Sequence, residues 1–443
     1  MHITKKLSAV MGGFLLMAVS AGAQKVNFTE YDLANGLHVI LHQDKSAPVV
    51  AVTVFYHVGS KNEELSRTGF AHFFEHLLFE GTDNIKRGEW SKIVTANGGQ
   101  ENATTSQDRT FYYELFPSNQ LELGLWMESE RMLHPVINET GVETQNEVVK
   151  EEKRQRIDNQ PYGHFLEQIF NVLFTKHPYR WQPIGSMEDL DAAKLEEFHA
   201  FFKKYYIPNN ATLSIAGDID PEQAKKWVAK YFTDIPKGAP IVQPDIQEAP
   251  ITKEIVDTAY DANIQIPAIM AAYRIPGMKS EDSKVLEMIS NYLSNGGSSK
   301  LSKKMVDEKK NALQVGAFNY ALEDYGAYIT YALPNNNTSL TDLLKDIDEE
   351  VVKLQTDFIS ETDYQKLLNQ FENDFVSANT RMLGVAENLA DGHTYFNNTG
   401  HINDELNAYK KITREQIRDV AKKYLNTNQR VVLYYLPEAK DGQ

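Results

Sequence analysis

The chain has 443 residues, a formal net charge of −16 at pH 7 and no cysteine. That length predicts two or three domains, and a composition of 42% hydrophobic and 24% charged residues is typical of a soluble globular protein, not a disordered or membrane-embedded one. The acidic balance argues against nucleic acid as a partner, and without cysteine any bound metal must be held by nitrogen and oxygen ligands.

Residues 1–23 have the pattern of a secretory signal peptide. Lys5 and Lys6 precede the apolar run Leu7–Val19, and Ala21-Gly22-Ala23 offers a small-residue cleavage site. The alternative is a membrane anchor, but a bilayer span needs ~20 apolar residues and this run is shorter. We predict cleavage after Ala23, no membrane span in the mature chain, and a location in a bacterial periplasm or outside the cell.

The next part of the chain predicts strands, with one helical run between them. Asn35-Gly36 lies between two alternating runs and indicates a hairpin. The predicted strands are Phe28–Leu33, Leu37–His42, Val49–His57 and two within Asn102–Leu115 that meet at Ser106–Asp108. The predicted helices are Phe70–Phe79 and Glu89–Ala96.

Helices dominate the chain from residue 121 up to a proline-rich stretch. The predicted helices are Leu121–Met132 (amphipathic), Glu143–Ile157 (charged, with Val148 and Val149 on its inner side), a run from Gly163 to Phe174, Leu190–Tyr206 and Pro221–Phe232. A strand is predicted at Ala211–Ala216. Four prolines then fall within residues 236–252, which indicates an interdomain linker.

The second half of the chain looks like a copy of the first. Lys203–Leu213 aligns with Lys422–Val432, which begins 219 residues later, and in both places an amphipathic helix leads into a strand. Two unrelated helix-strand units are the alternative. We predict an α+β fold of two homologous lobes, each a mostly antiparallel sheet covered by helices. The predicted domains are 24–235 and 253–443, joined by the linker 236–252.

The apolar run Phe70–Phe79 contains His72, Glu75 and His76. In a helix, residues four apart lie on one face, so the two imidazoles could share an ion with Glu75 beside it. Two partly buried histidines with local partners are the plainer alternative. His38 and His42 have the same spacing on a strand, where they stand about 13 Å apart and cannot share an ion.

A catalytic zinc site usually has three protein ligands and one open position. Since the chain has no cysteine, the third ligand must be another histidine or a carboxylate. The charged helix Glu143–Ile157 is the obvious source, and its residues leave Glu147, Glu151 and Glu152 as candidates.

The motif resembles that of the pitrilysin, insulin-degrading enzyme and mitochondrial processing peptidase family, the inverzincins. Gly69–Thr82 matches the family's His-x-x-Glu-His core, and the family's glutamate ligand, 76 residues after the second histidine, falls on Glu152. The resemblance implies a zinc metalloendopeptidase with one Zn²⁺ per chain, held by His72, His76 and Glu152, and with Glu75 as general base.

The same resemblance extends to the substrate. Asn102–Thr110 is similar to the family's Asn-Ala-x-Thr strand and turn, which implies that an extended peptide pairs with the sheet near Asn102 and Ala103. A turn-capping role is the alternative for Asn102. Glu151 is expected to be either a solvated acid or one that contacts a metal ligand without binding the ion itself. Glu147 is expected to lie on a solvated face of the helix.

The second lobe departs from the family pattern. Self-sufficient members carry an Arg and a Tyr seven residues apart there, and the alignment puts Val306 and Leu313 at those positions. No arginine occurs between Arg274 and Arg381, so sliding the alignment does not restore the pair. Gln145 also stands where some relatives have a glutamate.

These departures predict that the chain is the zinc-bearing subunit of a heterodimer whose homologous, zinc-free partner supplies the Arg and Tyr, with a homodimer less expected. The alternatives are a non-catalytic scaffold or binding subunit and a zinc hydrolase of a non-peptide substrate.

Overall fold

Two β-sheets of matching topology organise the computed structural model, which describes residues 25–438. The predicted signal peptide lies outside the described residues. The first sheet has the order β1-β2-β6-β3-β5-β4, with β2 and β6 parallel and the other neighbours antiparallel. Its strands are β1 (Thr29–Asp32), β2 (His38–Gln43), β3 (Val49–Tyr56), β4 (Gln100–Thr105), β5 (Thr110–Pro117) and β6 (Ala211–Gly217).

The second sheet repeats this order without a counterpart of β1. It runs β7-β11-β8-β10-β9, again with one parallel pair, β7 and β11. Its strands are β7 (Ile255–Asp261), β8 (Ala268–Pro276), β9 (Ala312–Ala321), β10 (Tyr325–Pro334) and β11 (Arg430–Pro437). The predicted α+β fold of two homologous lobes, each a mostly antiparallel sheet with helices, is confirmed. Residues 236–252 contain no helix or strand.

Fourteen α-helices cover these sheets within residues 25–438. In the first half they are α1 (Phe70–Leu77), α2 (Trp90–Ala96), α3 (Leu121–Leu133), α4 (Glu139–Lys153), α5 (Phe165–Leu173), α6 (Met187–Ala192), α7 (Leu195–Tyr205) and α8 (Pro221–Phe232). In the second half they are α9 (Glu281–Ser294), α10 (Leu340–Thr356), α11 (Glu361–Ala378), α12 (Met382–Phe396), α13 (His401–Lys411) and α14 (Arg414–Tyr424).

Each lobe covers part of the other lobe's sheet with one helix. Helix α5 packs Ile169 and Phe170 into the core of the second sheet, and α12 packs Val385 and Leu389 into a core with strands of the first. Successive strand residues point to opposite faces, so both faces of the first sheet are buried. The lobes are therefore joined through their cores as well as through the connecting segment.

The hairpin tips of the two sheets also interlock. Asp108, between β4 and β5, accepts a hydrogen bond from the backbone N–H of Glu323, between β9 and β10, at 2.9 Å. The buried Lys61 ammonium lies 3.1 Å from Asp108, 2.5 Å from Glu323 and 3.5 Å from Asp324. Burying the Lys61 ammonium is tolerated only because it is paired with these carboxylates, and the Asp108 and Glu323 side chains are themselves largely inaccessible to solvent.

Three details of the sequence prediction are wrong. Val148 is 43% exposed, and only Val149 points inward, because neighbouring residues of a helix differ by about 100° in direction. The predicted helix Leu190–Tyr206 is interrupted by Ala193 and Lys194, which are extended.

The third wrong detail is the amphipathic character that the sequence predicts for α3. The helix is present, but it buries the charged residues Glu128, Glu130 and Arg131 instead of exposing them to solvent. Arg131 is paired with Glu128 and with Glu114 of β5, and this pairing lets the charges occupy an interior face.

Candidate metal centre

Helix α1 is fixed to the lobe by an aromatic face. It begins after Gly69, whose φ of +94° is a left-handed conformation that favours glycine. Phe70 stacks on Phe198 of α7 with ring centroids 4.7 Å apart, and Phe74 stacks on Phe201 at 5.6 Å. Full burial of each such ring stabilises the packing by about 2–3 kcal/mol. The opposite side of α1, which carries both histidines, faces α4.

Polar side chains from elsewhere hold both ends of α1. At its start, the buried Glu63 carboxyl accepts hydrogen bonds from the N–H groups of Gly69 at 2.9 Å and Ala71 at 2.8 Å. At its end, Arg131 donates to the carbonyl of Leu78 at 3.0 Å. These groups have no partner within a helix, so each contact satisfies a backbone atom that would otherwise be buried unpaired. No local pattern in the sequence pointed to either side chain.

Three side chains from the two helices converge. The Nε2 atoms of His72 and His76 lie 3.5 and 3.0 Å from Oε2 of Glu152. One ligand atom from each residue lies within 4.8 Å of the other two. The two imidazole centroids are 4.9 Å apart, and the rings are inclined by 75°. Nitrogen and oxygen lone pairs from three residues thus point into one small space.

The electrostatics of His72 and Glu152 favour the protonation states that a cation requires. Burial, aided by the neighbouring His76, lowers the pKa of His72 to about 4, so its imidazole is neutral at pH 7. The His76 side chain holds the pKa of Glu152 below its ordinary value, so the carboxylate stays charged. Burial raises the pKa of Glu75, opposed by the neighbouring Thr105 hydroxyl.

The residues fit a bound zinc ion. Oε2 of Glu152 is buried at the point where the two histidine Nε2 atoms converge, and it makes no aligned hydrogen bond within residues 25–438. Buried polar atoms ordinarily have partners, so unpaired ones mark a place where a ligand or ion belongs. Two imidazoles and one carboxylate form a donor set characteristic of catalytic zinc.

Matches to two family models identify the protein family of the chain that carries this site. A model of the insulinase family (peptidase family M16) matches residues 38–182, and a model of the peptidase M16 inactive domain matches residues 192–371. The chain belongs to the pitrilysin-like M16 peptidase family. The first model spans His72, Glu75, His76 and Glu152.

Individual M16 relatives agree with this assignment. Zinc protease PqqE of Helicobacter pylori is 29% identical over 443 residues, or 98% of this chain and 100% of PqqE. The crystal structure of a protease from Helicobacter pylori gives a TM-score of 0.88 at 29% identity, covering 94% of this chain and all of that one. The periplasmic protease PqqL from Escherichia coli gives 0.76 at 19% identity, covering 94% of this chain and 48% of PqqL, which shows the fold alone.

The other acids considered on α4 of this M16 chain lie outside the convergence. Glu151 is 53% exposed and accepts hydrogen bonds from Gln155 at 2.8 Å and Arg154 at 3.3 Å. It is therefore a solvated acid and does not support the ligands. Glu147 is 70% exposed and pairs with Lys150.

Two residues in contact with the M16 motif complete the surroundings. Arg156 was not singled out from the sequence, yet its guanidinium lies 2.8 Å from Oε1 of Glu152, and its spacing of i, i+4 on a charged helix was the available signal. Gln145 donates to Glu80 at 2.5 Å, so it contacts the end of the motif and not the histidines.

Strand β4 is an edge of the first sheet and lies next to α1. Asn102 is exposed, and its Oδ1 accepts a hydrogen bond from the N–H of Ala103 at 2.9 Å. Ala103 is buried beneath the helices. In the second lobe, Val306 packs against the core and Leu313 is 50% exposed on the edge strand β9.

Proposed function

We propose that this chain is a zinc-dependent metalloendopeptidase that cleaves peptides or unfolded segments. The observation that carries the proposal is the convergence of His72, His76 and Glu152, with Glu75 on the same helix as the histidines. In this proposal the first domain, residues 24–235, holds one Zn²⁺, and the second domain, residues 253–443, has no counterpart of this site among its described residues.

The chemistry divides between the ion and the protein. When bound, zinc would lower the pKa of a water molecule and polarise the peptide carbonyl. His72 and His76 would hold the ion through imidazole nitrogens and Glu152 through its carboxylate. Glu75 lies in a buried setting that makes it a stronger base than a solvated carboxylate. It takes the proton of the attacking water and delivers it to the leaving amine.

The substrate is positioned by the free edge of β4. An extended peptide that pairs there forms main-chain hydrogen bonds and lies beside α1, which brings its backbone next to Glu75. Pairing through the backbone requires a strand-like substrate, so peptides and unfolded segments are favoured over folded proteins. Asn102 and Ala103 are the central residues of this edge.

A homologous partner chain completes the enzyme. Val306 and Leu313 have neither the charge nor the hydroxyl needed to bind a substrate backbone or an oxyanion, so we assign those roles to an Arg and a Tyr of a zinc-free partner subunit. The chain covers only 48% of PqqL, which has the same fold over that part. PqqL is therefore long enough to hold a second unit of this fold beside the first.

We also propose that the chain acts outside the cytoplasm, in the periplasm or after secretion. The basic and apolar pattern of residues 1–23 supports this proposal. Among residues 25–438, no helix has both the length and the apolar character that crossing a membrane requires. The relative PqqL is described as a periplasmic protease.

The second candidate function is a non-catalytic binding subunit, which the match of residues 192–371 to an inactive-domain model favours. The retained His72, His76 and Glu152 argue for catalysis. An inactive subunit has no need for three convergent ligands with a base beside them.

Zinc content and peptide cleavage, measured on the mature chain with and without a co-purified homologue, test the proposal. Glu75→Gln should keep about one zinc per chain and lose cleavage by at least about 100-fold, the usual contribution of a general base. Glu152→Gln should lose most of its zinc. Full activity in Glu75→Gln would refute the assigned base, and full activity of the single chain without a partner would refute the heterodimer.

A further inference from the structure

One basic side chain stands beside the proposed metal ligands and remains open to solvent. Nη1 of Arg156 lies 2.8 Å from Oε1 of Glu152, whose other oxygen faces His72 and His76. The Arg156 side chain is nevertheless 76% exposed. A single carboxylate group therefore separates an accessible guanidinium from the two imidazoles.

The backbone places Arg156 there through a local change of helix type. Helix α4 ends at Lys153, and Arg154–Asp158 form a π-helical turn, in which the N–H of Asn159 donates to the carbonyl of Arg154 at 2.8 Å. Such turns close over five residues instead of four, and they are frequent at functional sites. The turn begins two residues after Glu152, so it continues the segment that carries this ligand.

The other basic residues of this segment are neutralised by acids outside the site. Three pairs share this feature: Lys150 with Asp191, Lys153 with Asp158, and Arg154 with Glu151. Within the described part of the chain, Glu152 is the one acid that pairs with Arg156. A guanidinium has five N–H donors in a planar fork, so a single contact leaves most of them available to a ligand.

The charges around the metal centre favour an anion at this place. With zinc bound, the ion and Arg156 together exceed the carboxylates of Glu75 and Glu152 by one positive charge, although the chain as a whole has a formal net charge of −16. Arginine forms planar two-point pairs with carboxylates, which suits it to recognise that group. A peptide lying beside α1 would bring its own carboxylates close to this guanidinium.

We infer that Arg156 binds a carboxylate of the substrate, so that the chain prefers peptides that present one near the scissile bond. This inference rests on the proposed peptidase function and names its substrate class. The carboxylate comes from one of two sources, an acidic side chain or the free C-terminus of the peptide. If Arg156 acted on Glu152 alone, its loss would change the zinc affinity but not the choice among peptides.

The test measures peptide binding without cleavage. The protein is the mature chain with Glu75→Gln and saturating Zn²⁺, together with its homologue where one co-purifies. Three sets of short, fluorescently labelled peptides are compared: neutral peptides with an amide cap, the same peptides with one Glu at successive positions, and the same peptides with a free C-terminal carboxylate. Fluorescence anisotropy gives the Kd of each, and elemental analysis confirms equal zinc content in all variants.

At least one carboxylate set should bind about threefold to tenfold more tightly than the neutral set, as befits a charged contact at an exposed arginine. The set that shows the preference identifies the source of the carboxylate. Arg156→Gln should remove the preference, and Arg156→Lys should retain part of it because the charge remains. Arg154→Gln is the matched control and should keep the full preference, since Arg154 lies in the same turn and pairs with Glu151.

Equal binding of all three sets would overturn the inference, as would a preference that persists in Arg156→Gln or a failure to bind any set. Cleavage by the zinc-loaded wild type is measured separately. Cleavage without a carboxylate preference would refute the role of Arg156 and leave the peptidase standing. A carboxylate preference without cleavage would refute the peptidase and leave Arg156 as a binding residue.

Discussion

Oε2 of Glu152 lies 3.0 Å from Nε2 of His76, although the two residues are 76 positions apart and on different helices. The other carboxylate oxygen, Oε1, is held by Arg156 at 2.8 Å. The carboxylate thus presents one oxygen to the histidines while the other is occupied. This division of its two oxygens favours single-oxygen binding of an ion.

Replacing Arg156 should weaken metal binding, because it frees the oxygen of Glu152 that faces away from the histidines. Side chains that hydrogen-bond to metal ligands typically contribute a factor of about 10–100 to the metal affinity. Arg156 is 76% exposed, so we expect Arg156→Ala to weaken zinc affinity by about threefold to tenfold. Arg154→Ala is the matched control, because Arg154 pairs with the exposed Glu151. Equal zinc affinities in competition with a chelator would contradict the role of Arg156.

Gly69→Ala should destabilise the start of α1. Gly69 has φ +94°, and an added Cβ would lie 2.9 Å from the carbonyl oxygen of Ile184. Gly88 has φ +75° with nothing within 4 Å of an added Cβ, so Gly88→Ala isolates the conformational cost, about 1 kcal/mol. Gly69→Ala should cost roughly 1–3 kcal/mol more, by strain and displacement. Denaturant unfolding measures the loss of unfolding free energy in both variants. Equal losses would show that the neighbours of residue 69 move away from the added Cβ at no cost.

Glu63→Gln should lower both stability and zinc affinity. The Glu63 carboxyl accepts N–H groups from Gly69, Ala71 and the Trp181 indole, whereas an amide directs its own N–H groups at some of these donors. An unsatisfied buried donor costs about 1–3 kcal/mol. Glu64→Gln, at the exposed neighbouring position, should change neither quantity. Zinc titration and thermal unfolding of the two variants would separate these expectations.

Lys61→Met should lower the unfolding free energy by weakening the contact between the two lobes. It leaves three carboxylates at the hairpin junction without their ammonium, and breaking a buried ion pair costs about 3–5 kcal/mol. Lys279 also pairs with Glu323 but is 51% exposed, so Lys279→Met should cost less than about 1 kcal/mol. Similar unfolding free energies for the two variants would refute a special role for the buried cation.

The junction should also make stability depend on pH. Burial opposes ionisation of Glu323, but the His57 hydrogen bond and the charges of His57 and Lys61 outweigh it and hold its pKa well below the ordinary value. Its folded pKa is below its unfolded pKa of about 4.3, so its contribution is present above that pH and is lost as pH falls. The stability advantage of the wild type over Glu323→Gln should shrink below about pH 5, by at most about 1.4 kcal/mol per pH unit. A constant difference from pH 7 to pH 3 would contradict this assignment.

Local patterns in the sequence determined much of the fold. Alternating residues predicted the first-sheet strands, and Asn35-Gly36 predicted the turn between β1 and β2, where Gly36 has φ +88°. The 219-residue offset anticipated two sheets of one topology. The spacing of His72 and His76 placed both rings on one side of a helix. These features depend on contacts between near neighbours, so periodicity reveals them.

Tertiary structure alone decided which distant groups meet. Composition left Glu147, Glu151 and Glu152 equivalent, and the resemblance to the family pointed to Glu152 by its spacing of 76 residues. The packing of α4 on α1 is what brings Glu152 to the histidines. His38 cannot reach His42 along its strand, yet it meets His393, which lies on a helix from the other lobe.

Buried charges show the same limit. Arg131 and Lys61 look like surface residues in the sequence but are enclosed with their acids. The free energy of such groups depends on desolvation and on partners far away in the chain. A one-dimensional pattern records neither, so the sequence predicted the elements that carry the site, and the packing of those elements brings its side chains together.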